Sequence, residues 1–508
     1  MIAPYKYSLF QVSFAPKLHY LYIAIKKKVM AKVKKAFFCS NCGYESPKWL
    51  GQCPSCGQWN TMVEEVVSRS EGGPSKSYAA PGVNAKPQKL SEIEADGNEE
   101  RIVLSSAGRE NGGNQGLNIQ VHGEGNRGLG ELDRVLGGGM VKGSLVLIGG
   151  EPGIGKSTLS LQIPLSNPSL KTLYVSGEES ARQIKMRAER LGGIHDGCYI
   201  LPETSLDNII DQAKAIKPEL MIIDSIQTIF STAVESSAGS VSQVKECAVS
   251  LLRFAKETNT PVIIIGHITK DGTIAGPKVL EHIVDVVLQF EGDTRHSFRI
   301  LRSIKNRFGA SAELAVYEMT GTGLREVLNP SEMFISTHEE SLSGSAVAAT
   351  LDGTRPFLIE VQALVSTAAY GTPQRSATGF DVRRLNMLLA VLEKRVGFKI
   401  GAKDVFLNIA GGIKVADPAC DLAIIMSILS SNFDVAVSQK YTFAAEVGLS
   451  GEIRPVSQVE RRIAEAEKLG FERIYISSYS QKEEKQHRKI KVIRAASIPQ
   501  IVRDIFQE

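Results

Sequence analysis

The chain lacks a long apolar run, a strong net charge and an even spread of cysteines. No apolar stretch reaches the roughly 18 uninterrupted residues of a membrane-spanning helix, so we expect no membrane partner. The net charge is +4 over 508 residues, and bulk charge therefore neither requires nor excludes nucleic acid as a partner. Hydrophobic residues make up 43% and charged residues 22%, which excludes a wholly disordered, collagen-like or coiled-coil chain. This length predicts two or three domains.

Cysteine is rare outside one short segment. Of the seven cysteines, four lie within residues 39–56, and three, Cys198, Cys247 and Cys420, are scattered among apolar neighbours. A disulfide framework would space its cysteines more evenly. We therefore expect a reducing, cytoplasmic compartment.

The clustered cysteines form two Cys-x2-Cys pairs separated by ten residues. This spacing lets both thiolates of each pair reach one ion at about 2.3 Å. A redox pair would sit where a strand meets a helix in a βαβ unit, and no such unit surrounds these pairs. Four thiolates close the coordination shell, so the predicted ion is a structural Zn²⁺ rather than a catalytic one. Its ligands are Cys39, Cys42, Cys53 and Cys56.

Glycine and tryptophan stand beside the two cysteine pairs. Gly43 and Gly57 directly follow the pairs and permit the positive φ that such turns often use. Both tryptophans of the chain, Trp49 and Trp59, lie in the same segment. They either pack over the pairs or form a contact surface, and the general usage of aromatic side chains favours packing.

A phosphate-binding loop follows a hydrophobic strand in the tract SLVLIGGEPGIGKSTLSLQ. Its glycines let successive backbone N–H groups turn toward phosphates, Lys156 supplies a point charge to the β- and γ-phosphates, and the Ser157 hydroxyl ligates Mg²⁺. The tract therefore predicts an ATP site. The residues assigned to it are Gly150, Glu151, Pro152, Gly153, Ile154, Gly155, Lys156, Ser157 and Thr158.

Polar side chains follow three further apolar runs, at the points where the runs end. Asp224 ends ELMIID, Glu178 and Glu179 follow TLYVSG, and His267 ends PVIIIGH. Such runs, alternating with helical patterns, predict an α/β domain with a largely parallel sheet, whose strands carry ligand-binding residues at their carboxyl ends. We expect Asp224 near Mg²⁺, one glutamate orienting or deprotonating the attacking water, and His267 sensing the γ-phosphate.

With these residues together, the chain resembles the RadA (Sms) family of bacterial DNA-repair proteins, which are RecA-like ATPases of homologous recombination. The resemblance rests on the finger CSNCGYESPKWLGQCPSC, the loop GEPGIGKST, the tract HITKDGTIAGPKVLEHIVD, the pentapeptide KNRFG and a C-terminal domain similar to that of Lon proteases. It implies an α/β fold with a RecA-like P-loop ATPase core, an N-terminal zinc finger and a C-terminal α+β Lon-protease-like domain. The implied ranges are 1–29 for a disordered extension or upstream start, 30–64 for the finger, 65–116 for a linker, 117–328 for the ATPase and 329–508 for the Lon-like domain.

The resemblance also assigns residues within the ATPase core. It selects Glu178 over Glu179 as the glutamate that activates water, so the implied catalytic residues are Lys156, Glu178 and Asp224. His267 falls at the switch position that begins a DNA-binding loop.

Two loops and one short motif are implied to face DNA or a neighbouring subunit. The loops are Ser231–Gln243 and the segment after His267, in which Lys270 and Lys278 would contact phosphates. In KNRFG, Lys305 and Arg307 would reach a nucleotide at a subunit interface, or the DNA itself.

The resemblance implies a DNA-dependent ATPase that binds single-stranded and branched DNA and drives branch migration. Its implied cofactors are ATP, Mg²⁺ and the structural Zn²⁺. Its implied partners are a RecA-type recombinase and further copies of the same chain in a hexameric ring.

Two alternatives remain open at this stage. A Lon-type protease needs a Ser-Lys dyad, but the matching positions hold Ala419 and Glu460, and we expect the adjacent Cys420 to be buried. The C-terminal domain is therefore assigned to oligomerisation and to a basic face near the end of the chain, formed by Lys482, Lys485, Arg488, Lys489, Lys491 and Arg494. The second alternative is a RecA-like signalling ATPase of the clock-protein type that does not bind DNA.

Overall fold

The structure is a computed structural model that describes residues 34–67, 101–104, 130–267, 277–292, 298–335, 342–368, 371–481 and 489–506. Several sequence predictions fall outside these ranges: the extension 1–29, most of the linker, Lys270, Lys482, Lys485 and Arg488. Within the described ranges, no helix has the length and hydropathy needed to cross a membrane.

The N-terminal module is a three-stranded antiparallel sheet in the order β2-β1-β3. Its strands are β1 (Lys34–Cys39), β2 (Glu45–Ser46) and β3 (Met62–Val67). β3 runs three residues beyond the finger boundary of 64 that the resemblance implies. The largest buried apolar cluster of this module holds only Cys39, Cys53 and Met62, so a bound metal ion has to supply much of the folding free energy.

The central domain is built on a nine-stranded sheet in the order β14-β13-β12-β11-β6-β10-β9-β7-β8, with β4 and β5 as a separate pair. Its strands are β4 (Arg101–Ile102), β5 (Met140–Val141), β6 (Leu145–Gly150), β7 (Thr172–Ser176), β8 (Cys198–Pro202), β9 (Leu220–Asp224), β10 (Val262–His267), β11 (Val286–Glu291), β12 (Phe298–Asn306), β13 (Leu314–Thr320) and β14 (Gly323–Glu326). Its helices are α1 (Glu131–Val135), α2 (Lys156–Leu165), α3 (Ala181–Leu191), α4 (Leu206–Ile216), α5 (Val241–Thr258) and α6 (Pro277–Glu281).

The six neighbouring strands β11, β6, β10, β9, β7 and β8 are mutually parallel. Strands β12, β13 and β14 each run antiparallel to the strand before them. Two separate apolar clusters pack on the two faces of this sheet. Strands covered on both faces read as continuous apolar runs, which is why β6, β7 and β9 are buried along their whole length. This arrangement confirms the α/β class expected from the sequence.

Part of the segment implied to be a linker belongs to the central domain. β4 pairs with β5, and Leu104 is buried in the central core. The backbone N–H of Leu104 donates to Asp133 Oδ1 at 2.8 Å, and its carbonyl accepts a hydrogen bond from Asn167 Nδ2 at 2.6 Å. Because these backbone groups are satisfied by core residues, the domain includes at least residues 101–104.

The C-terminal domain has a seven-stranded mixed sheet in the order β17-β18-β16-β15-β19-β22-β23, with β20 and β21 as a separate pair. Its strands are β15 (Ser345–Asp352), β16 (Arg355–Thr367), β17 (Arg375–Thr378), β18 (Lys403–Ile409), β19 (Tyr441–Ala444), β20 (Glu446–Val447), β21 (Ile453–Arg454), β22 (Arg473–Ser477) and β23 (Lys491–Ala495). Its helices are α7 (Ser331–Phe334), α8 (Val382–Val391), α9 (Asp421–Phe433), α10 (Val459–Lys468) and α11 (Ile498–Phe506).

The β15–β16 turn joins the C-terminal domain to the central sheet. Asp352 pairs with both terminal nitrogens of Arg302 on β12, with Oδ2 2.8 Å from Nη2. Arg355 Nη1 lies 2.7 Å from Glu131 Oε2 on α1. A side chain at Gly353, which has φ of +61°, would meet the carbonyl oxygen of Ala312. The turn therefore fits only with glycine at its tip.

Candidate nucleotide site and zinc module

The P-loop connects the end of β6 to the start of α2. Gly153 and Gly155 have φ of 76° and 118°, in the left-handed region that favours glycine. Ile154 between them is only 2% exposed, so its side chain anchors the loop in the core and only its backbone faces the site. The carbonyl of Ile154 accepts a hydrogen bond from Arg299 Nε at 3.3 Å. A loop shaped and held in this way fits a chain of phosphates.

Lys156 is a buried cation at the start of α2, with 3% of its surface exposed. Its ammonium donates to the carbonyls of Gly150 and Glu151, both at 2.8 Å. Burial lowers the pKa of Lys156 to about 8, although Asp224 and Glu178 partly oppose the shift. Its partners in the loop are neutral, so its charge remains available to an anionic ligand.

Asp224 lies at the carboxyl end of β9, as the sequence predicts, and is 7% exposed. Tyr174 Oη on the neighbouring strand β7 donates to Asp224 Oδ2 at 2.7 Å. Burial, together with the carboxylate of Asp224, raises the pKa of Tyr174 well above its usual value, so this phenol remains a donor. The Asp224 carboxylate and the Ser157 hydroxyl are oxygen donors of the kind that Mg²⁺ prefers.

Glu178 and Glu179 point to different partners. Ser225 Oγ donates to Glu178 Oε1 at 2.6 Å, and His267 Nε2 lies 3.3 Å from the same oxygen. Glu179 instead pairs with Arg187 on α3. Burial raises the pKa of Glu178, but the hydrogen bonds from Ser225 and His267 and the charge of Lys156 outweigh it, so the pKa lies below its usual value. Glu178 is therefore an ionised carboxylate on the nucleotide side.

His267 ends β10 directly beside Gly150 of β6, with which it is paired in the sheet. Its Nε2 contacts Glu178, while its Nδ1 is buried and has no hydrogen-bond partner among the described residues. The structure thus brings together the P-loop, Asp224, Glu178 and His267 at one edge of the sheet. Tyr174 and Ser225 complete this cluster, and the sequence analysis did not assign them.

Lys305 and Arg307 lie at the opposite edge of the same sheet. The backbone N–H of Arg307 donates to the Asp285 carbonyl at 3.2 Å, and that of Asp285 donates to the Leu145 carbonyl at 3.0 Å. Leu145 starts β6, whose other end is the P-loop. The six residues of β6 separate the two edges by about 17 Å, so these two cations do not reach the P-loop of their own chain.

The two cations also have separate partners rather than one shared direction. The Lys305 ammonium donates to the carbonyls of Glu281 and Val284, at 2.8 Å for the latter. Arg307 Nη1 lies 3.1 Å from Asp285 Oδ1. Within the single chain, the two side chains therefore do not point together at one anion.

The loop implied to face DNA ends three residues before its implied boundary at Gln243. It ends at Ser240, whose hydroxyl caps α5. The buried Gln243 amide donates to the carbonyls of Ser231, Val234 and Ser236 at 3.1, 2.7 and 2.9 Å. One side chain on α5 therefore fixes the path of this loop.

The four sulfurs of the N-terminal module all lie within 4.8 Å of one another. Cys39 and Cys56 have their Sγ atoms 3.7 Å apart, and those of Cys42 and Cys53 are 3.5 Å apart. A tetrahedral ion with bonds of about 2.3 Å separates its sulfur ligands by about 3.8 Å, so the residues present fit a structural Zn²⁺. Gly43 and Gly57 have φ of 70° and 69°, as predicted.

Trp49 and Trp59 remain 54% and 69% exposed. Their rings approach Gly51 rather than the sulfurs, each about 3.7 Å from where a β-carbon would be. The expected packing role is wrong, and the two indoles form a surface of the module.

The positions that match a Lon-type dyad hold Ala419 and Glu460, and an ion pair joins the residues two positions away from each. Ala419 is fully buried, and Arg462 on α10, two residues after Glu460, is 1% exposed and pairs with Asp417. Arg462 Nη1 also donates to the Ala349 carbonyl at 2.8 Å. Burial raises the pKa of Cys420 to about 12, so its thiol stays protonated.

Three family models match separate parts of the chain. They are the rubredoxin metal binding domain over residues 37–64, the AAA domain over 120–273 and subunit ChlI of Mg-chelatase over 366–480. The first agrees with the four-thiolate site and the second with the P-loop. ATP and Mg²⁺ at the P-loop and structural Zn²⁺ at the N-terminal module are thus the cofactors of this chain.

Curated relatives match this chain over most of their own length. The DNA repair protein RadA of Bacillus subtilis (strain 168) is 46% identical over 93% of this chain and 99% of its own length. The proteins of that name from Halalkalibacterium halodurans and Listeria monocytogenes are 47% and 45% identical, over 88% and 92% of this chain and 93% and 98% of their own lengths. A solved KaiC-like protein, PH0186 of Pyrococcus horikoshii, is 20% identical over 38% of this chain and 94% of its own, with a TM-score of 0.33, too low to carry a conclusion. On the identity and coverage of its relatives, the chain belongs to the RadA family of DNA repair ATPases.

Proposed function

We propose that this DNA repair ATPase is DNA-dependent, binds single-stranded DNA and drives branch migration of recombination intermediates. It would act in the cytoplasm as a hexameric ring of identical chains, together with a RecA-type recombinase. The contact between Glu178 and His267 carries the proposal, because it joins the hydrolytic carboxylate to the residue that precedes a segment predicted to bind DNA.

Hydrolysis is assigned to side chains at one edge of the central sheet. Lys156 holds the β- and γ-phosphates, and Ser157 and Asp224 hold Mg²⁺. Glu178 orients the attacking water and accepts its proton, a role for which its pKa below the usual value keeps it ionised. Preorganised charges of this kind act where charge develops during phosphoryl transfer.

The coupling to DNA runs through His267. Its Nε2 shares Glu178 Oε1 with the Ser225 hydroxyl, so a shift of His267 changes the position of the carboxylate. Residues 268–276 follow His267 directly in the chain, and the family resemblance implies DNA contact by this segment. DNA binding there would bias the orientation of Glu178, and ATP turnover would in return move the segment.

Lys305 and Arg307 are assigned to a neighbouring subunit. Their distance from the P-loop of their own chain leaves an adjacent ATP, or DNA, as the anion within reach. Arg307 has 53% of its side chain exposed, so it is the cation better placed to act outside its own subunit.

The C-terminal domain is assigned to assembly and DNA binding, without peptidase activity. A peptidase needs an activated nucleophile and a proton acceptor. Ala419 has no hydroxyl, Glu460 carries a carboxylate in place of an amine, and the buried Cys420 thiol is protonated. The ion pair between Arg462 and Asp417 fills the space near these positions.

A branch-migration assay tests this function. A three-stranded intermediate with a labelled incoming strand is incubated with the full chain and ATP. We expect the heteroduplex to lengthen with the wild type and to stop with Glu178→Gln, which still binds ATP. Absence of lengthening with the active wild-type ATPase would contradict the proposal. A native mass other than six chains would contradict the hexamer alone.

A further inference from the structure

Asp285 is a nearly buried carboxylate that the sequence analysis did not assign. Its side chain is 4% exposed. Oδ2 accepts the backbone N–H of Leu145 at 3.1 Å and lies 3.4 Å from Lys256 Nζ. Oδ1 accepts Arg307 Nη1 at 3.1 Å. Three donors from separate parts of the chain therefore converge on one carboxylate.

The backbone of Asp285 is fixed as firmly as its side chain. Its N–H donates to the carbonyl of Leu145, and its own carbonyl accepts the N–H of Arg307. Asp285 thus links the first residue of β6 to the first residue after β12. Neither its main chain nor its carboxylate is free to follow a moving arginine.

Arg307 combines this fixed contact with exposure. The guanidinium has five N–H donors in a planar fork, and Asp285 contacts it at one terminal nitrogen. Because 53% of the side chain is exposed, donors remain for an anion outside the chain. Asp285, Lys256 and Arg307 together carry a net charge of +1, so the cluster still attracts an anion.

Lys305 differs from Arg307 in these respects. Its ammonium donates to two carbonyls at the end of α6 and in the following turn. Burial lowers its pKa, and the charge of Arg307 adds to the effect. Of the two cations in the motif, Arg307 is the one presented to the outside.

We propose that Asp285 is a positioning residue that holds the Arg307 guanidinium in the orientation required to contact the ATP of the neighbouring subunit. The inference rests on the proposed function, in which Arg307 acts across the subunit boundary. A long, exposed arginine otherwise samples many rotamers, and a misplacement of about 1 Å can cost about 100-fold in rate. A fixed carboxylate at one end of the fork removes much of that freedom.

The first test separates rate from binding. Asp285→Asn keeps the shape of the side chain and weakens its hold on Arg307. We expect kcat for ATP to fall by about 10- to 100-fold with KM nearly unchanged, because Arg307 would contact charge that develops in the transition state. Lys256→Ala removes the other cation from Asp285 and is the matched control, with kcat close to wild type. An equal loss of kcat in both variants would overturn the inference.

The second test asks in which subunit Asp285 acts. Asp285→Asn chains are mixed with excess Lys156→Ala chains, which cannot hydrolyse ATP but carry an intact Asp285 and Arg307. We expect turnover per Asp285→Asn chain to rise toward the wild-type value, since its neighbour now supplies the oriented arginine. Native mass measurement checks that mixed assemblies form.

Arg307→Ala chains in the same mixture separate a failure of Asp285 to position Arg307 from a failure of Arg307 to act across the subunit boundary. If Arg307→Ala is rescued and Asp285→Asn is not, Asp285 acts within its own subunit and the inference is overturned. If neither is rescued in mixed assemblies, the action of Arg307 across the boundary fails as well. If Asp285→Asn does not fold, Asp285→Glu can replace it, because it keeps the charge on a longer side chain. We expect Asp285→Glu also to lose kcat and to recover it in mixed assemblies with Lys156→Ala chains.

Discussion

Lys156 of the central domain and Arg462 of the C-terminal domain are both buried cations, but their charges have opposite kinds of partner. Lys156 at the P-loop is 3% exposed and donates to neutral backbone carbonyls. Arg462 in the C-terminal domain is 1% exposed and pairs with the Asp417 carboxylate. The first charge is left for a ligand to neutralise, whereas the second is neutralised inside the chain.

The surrounding groups sharpen this contrast. Around Lys156, two carboxylates, Asp224 and Glu178, stand close enough to affect its pKa and remain available to Mg²⁺ and water. Around Arg462, Asp417 accepts further hydrogen bonds from Thr350 Oγ1 and the N–H of Leu351. A buried ion pair whose other hydrogen-bonding groups are satisfied stabilises one conformation of the chain. A buried cation without a carboxylate partner can instead bind an anion.

The largest expected effect is the loss of ATP hydrolysis on Lys156→Ala. Removal of the ammonium takes away the charge that meets the β- and γ-phosphates, so turnover should fall to background. The free energy of unfolding should stay near the wild-type value, because only carbonyl contacts are lost. A steady-state phosphate-release assay and a denaturant titration measure the two quantities. Residual turnover within tenfold of wild type would show that the Lys156 charge is not needed by the nucleotide.

Arg462→Met is expected to act on stability instead of turnover. It leaves Asp417 buried without its cation, and breaking a buried ion pair from one side costs about 3–5 kcal/mol. Asp417 has a pKa below its usual value, since Arg462 and two backbone N–H groups outweigh the effect of burial, so the pair stabilises the fold above the range in which carboxylates normally titrate. Denaturant unfolding of the C-terminal domain at neutral pH measures the loss. Unchanged unfolding would show that Arg462 is not a structural ion-pair partner.

Glu178→Gln should lower turnover by about 100-fold or more while ATP binding persists. The amide keeps the contacts with Ser225 and His267 but cannot accept a proton. Glu179→Gln is the matched control, since Glu179 pairs with Arg187 on α3, and it should have much the smaller effect. Single-turnover kinetics with a separate nucleotide-binding assay measures both. If Glu179→Gln were the more damaging change, the assignment of the two glutamates would be reversed.

The smallest expected effect is a pH dependence at Lys156. Burial, partly opposed by Asp224 and Glu178, lowers the pKa of this ammonium to about 8, so the free chain loses the charge as pH rises through that value. The ratio kcat/KM reports the free enzyme and should fall by about tenfold per pH unit above 8. At saturating ATP, the bound phosphates hold the proton and kcat should change less. A constant kcat/KM up to pH 9.5 would contradict the lowered pKa of the buried Lys156.

Local patterns were sufficient to predict much of the nucleotide site and the whole set of zinc ligands. The P-loop, Asp224 and the four cysteines each follow from residues close in sequence, because strand ends and thiolate spacing are local properties. Tyr174 and Ser225 could not be assigned in this way. Tyr174 contacts Asp224 only because β7 and β9 are neighbours in the sheet. Ser225 contacts Glu178 for the same reason, because the two residues follow the ends of these strands.

Contacts between residues far apart in the sequence also explain where other predictions differ from the structure. Trp49 and Trp59 were expected to pack, but four sulfurs and Met62 fill the small module, so the indoles stay outside. The serine-rich loop before α5 is fixed by Gln243, a helix residue whose sequence context gives no sign of that role. Asp285 was likewise hidden, because its partners Leu145 and Arg307 lie far from it along the chain.

The most direct test of the account is ATP turnover with and without single-stranded DNA, compared between the wild type and His267→Ala. We expect DNA to stimulate the wild type, and we expect the ratio of turnover with DNA to turnover without DNA to fall toward one in His267→Ala, since the link to Glu178 is cut. A wild-type ATPase indifferent to single-stranded DNA, or full stimulation of His267→Ala, would contradict it.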